Sequence, residues 1–262
     1  MALNSLSTVM TYAEAAVHAM AQAMRADPRV VVLGEDVGRG GIFQQYKGLQ
    51  AAFGPERVID TPISEATIVG AGVGMALVGM RPVVEMRVVD FALCAMDEIV
   101  NQAAKNRYMF GGQGRVPLVM RMPIGFWQNS AAQHSQSLEA WFAHLPGVVV
   151  MCPATPQDNY SMLTQALRGE DPVIYMENKE LWGLQGDVDD SVVHMMRRVP
   201  WTAPVHSPDG DDDLLRLTVN NAKGQVVPFA AFASTRWVVG PMQTVRYNGY
   251  PAMRISGSAA AG

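Results

Sequence analysis

Six short runs, "RVVVLGED", "RVIDT", "RPVVEM", "VPLVMRM", "GVVVMCP" and "DPVIYMEN", punctuate the chain before Asp187. Each is rich in β-branched residues and continuously apolar rather than alternating. A strand with no polar face must be covered on both sides, and helix-length segments at 41–53, 64–79, 90–109, 137–144 and 156–168 stand between the runs to supply the cover. The expectation is an α/β fold: a three-layer arrangement around a parallel sheet. Ahead of the first run, Thr11 and Glu14 in "TYAE" form a capping-box pattern, small and apolar residues follow at helical spacing to Arg25, and Pro28 stops the helix.

In sheets of this kind ligands sit beyond the carboxyl ends of the strands. The polar tails of the runs, "GED" with Glu35 and Asp36, "DTPISE" with Glu65, and "RMPIG", therefore belong near a site; ordinary loop chemistry is the alternative for any one of them. Glu65 stands out because an uncharged stretch, 66–80, follows it directly. With Ser64 as a cap it falls in the first turn of a helix, where the dipole favours the ionised carboxylate while burial favours the neutral acid. Opposed effects of that kind suit a group that shares a proton with a ligand; a plain helix-start acid is the other reading. His134, in "AAQHSQSLEAWF", precedes a helix expected to begin near Ser135 or Ser137, and reads either as a structural hydrogen-bonder or as a catalytic group. "GAGVG" (Gly70, Gly72, Gly74) lies inside a helix rather than in the turn after a strand, so the glycines read as packing positions rather than a dinucleotide fingerprint.

Composition narrows the function classes. With 49% hydrophobic and 17% charged residues the chain has ample core material, and its net charge of −4, with Lys and Arg scattered, argues against nucleic acid as a partner. Cys94 and Cys152 have no CxxC spacing, and no His, Asp or Glu pattern matches a zinc site, so neither a disulfide framework nor a metal centre is expected and a cytoplasmic setting fits best. The stretch 66–80 is shorter than the ~20 residues needed to cross a bilayer, so no membrane span is expected. After Asp187 the sequence turns rich in aspartate and proline without a period, which reads as a linker over 188–212. Strand-like runs around "NAKG" then suggest a hairpin in a β-containing tail, 213–262.

The segments "LGEDVGRGGIFQQYKGLQAAFGPERVIDTPISE", "RPVVEMRVVDF", "AMDEIVNQAAKNRYMFGGQ", "AAQHSQSLEAWFAHLPGVVVMCPATPQD" and "DPVIYMENKELWG" resemble, in order and spacing, the beta subunits of thiamine-diphosphate-dependent 2-oxo acid dehydrogenases of the pyruvate, branched-chain and acetoin types. The resemblance covers about residues 10–187. It implies a transketolase-like pyrimidine-binding domain, 1–187, which holds the aminopyrimidine ring of thiamine diphosphate across an interface with an alpha subunit. It also implies oxidative decarboxylation of a 2-oxo acid, with acyl transfer to a lipoyl group on a separate acyltransferase, by an α2β2 heterotetramer.

Carried onto this sequence, the family's "PISE" glutamate is Glu65, which hydrogen-bonds the pyrimidine ring nitrogen and favours the imino tautomer. The aromatic residue stacked on the ring is Phe91, a backbone contact to the ring falls near Ile63, and the channel histidine implicated in acyl transfer is His134. The family's diphosphate and magnesium motif does not occur here, so that group is assigned to the alpha subunit, and the chain is expected to be inactive alone. Arg87 stands where the family usually carries a nonpolar residue. The segment 213–262 is similar instead to a piece of the periplasmic porter region of resistance-nodulation-division efflux transporters, "GQVVPFAAF" and "RYNGYPAMRISG" carrying the likeness. A truncated or fused non-catalytic fragment that keeps the fold is the alternative to a working subunit.

Overall fold

A computed structural model describes residues 7–191 and four short strands beyond them. β1 (Thr8–Thr11) leads into α1 (Tyr12–Ala26), and the expected capping box is present: the Thr11 hydroxyl accepts from the Glu14 amide at 3.2 Å while the Glu14 carboxylate accepts from the Thr11 amide at 2.8 Å. The six apolar runs become β2 (Val30–Gly34), β3 (Val58–Asp60), β4 (Arg81–Glu85), β5 (Val119–Ile124), β6 (Val149–Met151) and β7 (Val173–Asn178). They form one sheet in the order β3-β2-β4-β5-β7-β6, every pair parallel. β8 (Gln185–Val188) pairs antiparallel with β1, Val188 facing Thr8.

Successive residues of the central strands point to opposite faces, and both faces are buried. Val32, Val83, Val119, Val173 and Tyr175 pack under α1 and α6 (Pro156–Arg168). Leu33, Val84, Met120, Ile174 and Met176 pack on the other side under α3 (Glu65–Leu77) and the segment that follows β4. The three layers anticipated from continuous apolar strands are therefore present. In α3, a Cβ on Gly72 would lie 2.8 Å from Val84 Cγ1 and 3.0 Å from Leu118 Cδ1, so the close approach of helix to sheet requires glycine there; at Gly74 no atom comes within 4 Å.

Three helical segments differ from expectation. The stretch 41–53 is helical only in α2 (Leu49–Phe53), because Gly41, Gln44 and Gly48 adopt φ of 74°, 62° and 77°, which an α-helix cannot accommodate. The stretch 90–109 is a succession of pieces: a 3₁₀ helix (Val89–Ala95), a π-helical turn (Glu98–Ala103) and α4 (Asn106–Met109). Apolar spacing of three to four residues does not distinguish these windings, and Phe91 lies on the 3₁₀ piece. The segment 137–144 shortens to α5 (Glu139–Ala143), with His134 in a separate 3₁₀ turn (Ala132–His134) before it.

The chain divides into two units, 1–196 with 247–250 and 197–246 with 251–262. Beyond residue 191, β9 (Thr218–Asn220) and β10 (Val226–Pro228) pair antiparallel, the hairpin expected around "NAKG", and β11 (Val245–Tyr247) neighbours β12 (Tyr250–Ala252). The linker expectation, past Ser191, and the rest of the tail lie outside the described residues.

Candidate functional site

The strand order changes direction at β2 and β4. The chain passes from β2 outward to β3, then back across to β4 and on to β5. A crevice at the carboxyl ends of the strands is the consequence of such a switch. It is present here as a cleft of about 300 Å³ lined by Glu35, Ile42, Phe43, Ile63, Glu65, Arg87, Val88, Phe91, Trp127 and His134. Glu35 follows β2, Ile63 and Glu65 follow β3, Arg87 to Phe91 follow β4, and Trp127 and His134 follow β5. The four residues singled out from sequence, Ile63, Glu65, Phe91 and His134, thus share one cleft although up to 71 positions separate them (134 − 63).

Glu65 is the first residue of α3 and half-buried; its carboxylate makes no hydrogen bond among the described residues. Ser64 occupies the cap position but does not cap. Its backbone (φ −168°, ψ 78°) departs from the extended conformation of the working caps Thr11 and Thr155 (ψ 159° and 163°), and its hydroxyl donates instead to Thr67 Oγ1 at 2.8 Å. The Phe91 ring meets the His134 imidazole edge-on, with centroids 5.3 Å apart and planes at 84°. Trp127 lies 6.2 Å from the same imidazole and 5.0 Å from Phe43, whose ring also stacks on Trp182 at 5.2 Å. Ile63 is 74% exposed at the rim. Arg87, in a left-handed conformation (φ 57°), reaches back across the switch point to the buried Glu35 carboxylate, 3.2 Å away. Asp36, expected beside the site, turns away to pair with Arg39 at 2.7 Å.

The chemistry of the lining fits a flat heteroaromatic ring. Phe91, Val88, Ile42 and Phe43 supply apolar surface, and one unengaged carboxylate, Glu65, can share a proton with a ring nitrogen. Glu35 has a cationic partner in Arg87, whereas Glu65 is the lining carboxylate with neither oxygen hydrogen-bonded among the described residues.

Beneath the cleft, on the α1 and α6 face, lies a polar cluster that sequence reasoning did not find. The Arg121 guanidinium is fully buried and forks onto the Glu177 carboxylate with two hydrogen bonds of 2.8 Å. Its plane lies over the Tyr46 ring at 4.8 Å, and Tyr46 donates to Glu85 Oε2 at 2.6 Å. Asn159 donates to Glu177 at 3.1 Å and accepts from the Tyr175 hydroxyl at 2.7 Å. Burial pushes the Glu85 carboxyl up to about 7, against the pull of Arg121 and the Tyr46 hydrogen bond. The signal was available: Arg121, Glu85 and Glu177 are lone charges within "VMRM", "VVEM" and "YMEN", runs whose continuous apolarity places them inside. Lys179, at the end of β7, was also passed over. It is 8% exposed, and its ammonium donates to the His134 carbonyl at 2.6 Å.

With fold and cleft in view, the likenesses are specific. Residues 8–185 match the family described as transketolase, pyrimidine binding domain. The chain belongs to that family. It is 46% identical over 183 residues to the acetoin:2,6-dichlorophenolindophenol oxidoreductase subunit beta of Cupriavidus necator, covering 66% of this chain and 54% of that protein. It is 46% identical over 190 residues to the 2-oxoisovalerate dehydrogenase subunit beta of Bacillus subtilis, covering 71% and 58%, and 46% identical over 175 residues to the mitochondrial pyruvate dehydrogenase E1 component subunit beta-1 of Oryza sativa subsp. japonica, covering 66% and 47%. The chain thus spans about half the length of the curated relatives it matches. A solved structure, a split gene transketolase in an inactive beta4 tetramer, shares the fold at a TM-score of 0.52 and 23% identity, covering 65% of this chain and 52% of that one. Residues 193–262 match the AcrB/AcrD/AcrF family, a match that takes in the efflux-like segment read at 213–262. No described helix is long and apolar enough to cross a membrane.

Proposed function

We propose that residues 1–187 are the pyrimidine-binding domain of the beta subunit of a 2-oxo acid dehydrogenase, an oxidoreductase that acts with thiamine diphosphate and an alpha subunit, as an α2β2 heterotetramer in the cytoplasm. The observation that carries this reading is the convergence of Ile63, Glu65, Phe91 and His134 on one cleft at the switch point of the sheet. The reaction is the conversion of a 2-oxo acid and a lipoyl disulfide into carbon dioxide and an acyl thioester, the second lipoyl sulfur ending as a thiol.

Thiamine diphosphate, when bound, supplies the carbanion chemistry that lets carbon dioxide leave. This chain's residues bind and orient it. Glu65 holds a proton between its carboxylate and the pyrimidine ring nitrogen. Phe91 covers one ring face, a backbone group near Ile63 fixes the ring edge, and the apolar wall of Ile42, Phe43 and Val88 keeps water from the shared proton, which strengthens that hydrogen bond. His134, edge-on to Phe91, serves acyl transfer to the lipoyl group. The diphosphate and its magnesium ion fall to the alpha subunit, and a lipoyl-bearing acyltransferase takes the acyl product.

The test is thiamine-diphosphate-dependent oxidation of pyruvate, acetoin and branched-chain 2-oxo acids by the full chain co-expressed with its alpha subunit, followed with an artificial electron acceptor. Turnover of one of these substrates is expected. A second reading, a non-catalytic segment that keeps the fold, is favoured by the AcrB/AcrD/AcrF match over 193–262. Co-purification with the alpha subunit without turnover of any substrate supports that second reading and contradicts the first.

A further inference from the structure

His134 ends a 3₁₀ turn, its amide donating to the Ala131 carbonyl at 3.3 Å, on a loop that carries several left-handed residues. Gln128, Asn129 and Ala131 take positive φ of 34°, 59° and 61°, conformations that cost non-glycine residues energy and persist when the surroundings impose them. The Gly125 amide closes the base of the loop on the Gln136 carbonyl at 3.0 Å, and the Gln136 side chain donates to Asp90 Oδ1 at 2.7 Å, beside Phe91. Among the described residues, the His134 end of the loop has a further tether from outside it. The Lys179 ammonium reaches up from the end of β7 to the His134 carbonyl at 2.6 Å and lies 5.8 Å from the Trp127 ring centroid.

A buried ammonium is costly unless its charge is answered. Here the carbonyl of His134 takes its one hydrogen bond among the described residues, the Trp127 face takes part of its charge, and the charge of Asp90 favours it further. Burial nonetheless lowers the Lys179 pKa from its ordinary value. An apolar residue of the same length would fill the space at less cost. What the ammonium adds is a directional, charge-assisted bond that fixes where the His134 backbone stands relative to Phe91.

We propose that Lys179 is a positioning residue that holds His134 against the cleft through its carbonyl, with Trp127 as the lid over the bond. The proposal rests on the catalytic reading of His134, but its geometry can be tested apart from that reading. In the full chain, carbethoxylation of His134 by diethyl pyrocarbonate, followed by mass spectrometry of the peptide that carries it, reports how firmly the imidazole is held against Phe91 and Trp127. Lys179→Met is expected to raise the rate at least threefold, and Lys179→Arg, which restores a charged donor, to return it to within twofold of the wild-type value. Rates are compared on protein with wild-type circular dichroism; should Lys179→Met not fold, Lys179→Gln, which loses the charge, is measured with the same threefold expectation. An unchanged rate in the neutral variant, or no rescue by arginine, overturns the proposal.

In the reconstituted complex the neutral variant is expected to lower acyl transfer to lipoamide at least tenfold more than it lowers reduction of an artificial acceptor. Equal losses in the two assays overturn the link to acyl transfer. A complex in which wild type itself turns over no 2-oxo acid, with the carbethoxylation pattern as expected, contradicts the proposed function while leaving the tether intact.

Discussion

Glu65 and Glu85 lie one layer apart at the same end of the sheet and are treated in opposite ways. Glu85 is fully buried, bonded to Tyr46 and under the field of Arg121, which is itself locked to Glu177. Glu65 is half-buried at the head of α3, with no hydrogen bond to its carboxylate among the described residues. Burial puts Glu85 out of a ligand's reach and favours its neutral form, and its Oε1 has no hydrogen-bond partner among the described residues. On the proposed function, Glu65, unanswered in its cleft, takes its partner from outside, so the stability effect of the residue should be small while its functional effect is large.

The sharpest way to break that comparison on the stability side is Arg121→Met. Removing the guanidinium leaves Glu177 buried without its ion-pair partner, and the expected loss is about 3–5 kcal/mol in urea unfolding; a loss below ~1 kcal/mol means the cluster does not stabilise the fold. The next largest effect concerns pH. The Glu85 carboxyl is raised from the ordinary 4.5 to about 7. The native state therefore holds a proton that the unfolded chain has already released, so the contribution of Glu85 is complete below about pH 4.5 and declines until pH passes 7. Glu85→Gln, which still accepts from Tyr46, is expected to remove that decline and be more stable than wild type at pH 8 by roughly 1–3 kcal/mol. Parallel pH profiles for the two proteins contradict the assignment. The smallest effect separates two glycines of α3. Gly72→Ala drives a methyl group into Val84 and Leu118 and should cost about 1–2 kcal/mol, whereas Gly74→Ala meets open space and should stabilise by roughly 0.5–1 kcal/mol through helix propensity. Equal thermal shifts for the pair mean the helix does not press on β4 as described.

How far the sequence could be read follows from the range of each interaction. Strands β2 to β7 were legible because burial on both faces leaves a local mark, a β-branched run without alternation. The capping box at Thr11 and Glu14 was legible because four residues contain the whole of it. The 3₁₀ and π windings after β4 were not, since their apolar spacing overlaps that of an α-helix, and the false cap at Ser64 depends on one ψ angle. The cleft was reachable only in part: Glu65 showed itself as a lone charge before an apolar stretch and His134 through the motif around it. Trp127, Phe43 and Lys179 are joined to the site by tertiary packing alone. The charged trio Glu85, Arg121 and Glu177 was legible in principle, as lone charges in strands otherwise apolar, but pairing them needs the strand order 4-5-7, which local sequence does not carry.

The most direct test of the central claim is Glu65→Gln in the full chain assembled with its alpha subunit, measured for thiamine-diphosphate-dependent turnover and, in parallel, for unfolding free energy. The expected result is a fall in turnover of about a hundredfold or more, the usual range for losing a positioned proton-sharing group, with stability within about 0.5 kcal/mol of wild type. Turnover equal to wild type, or a loss of activity matched by a loss of folding, contradicts the account.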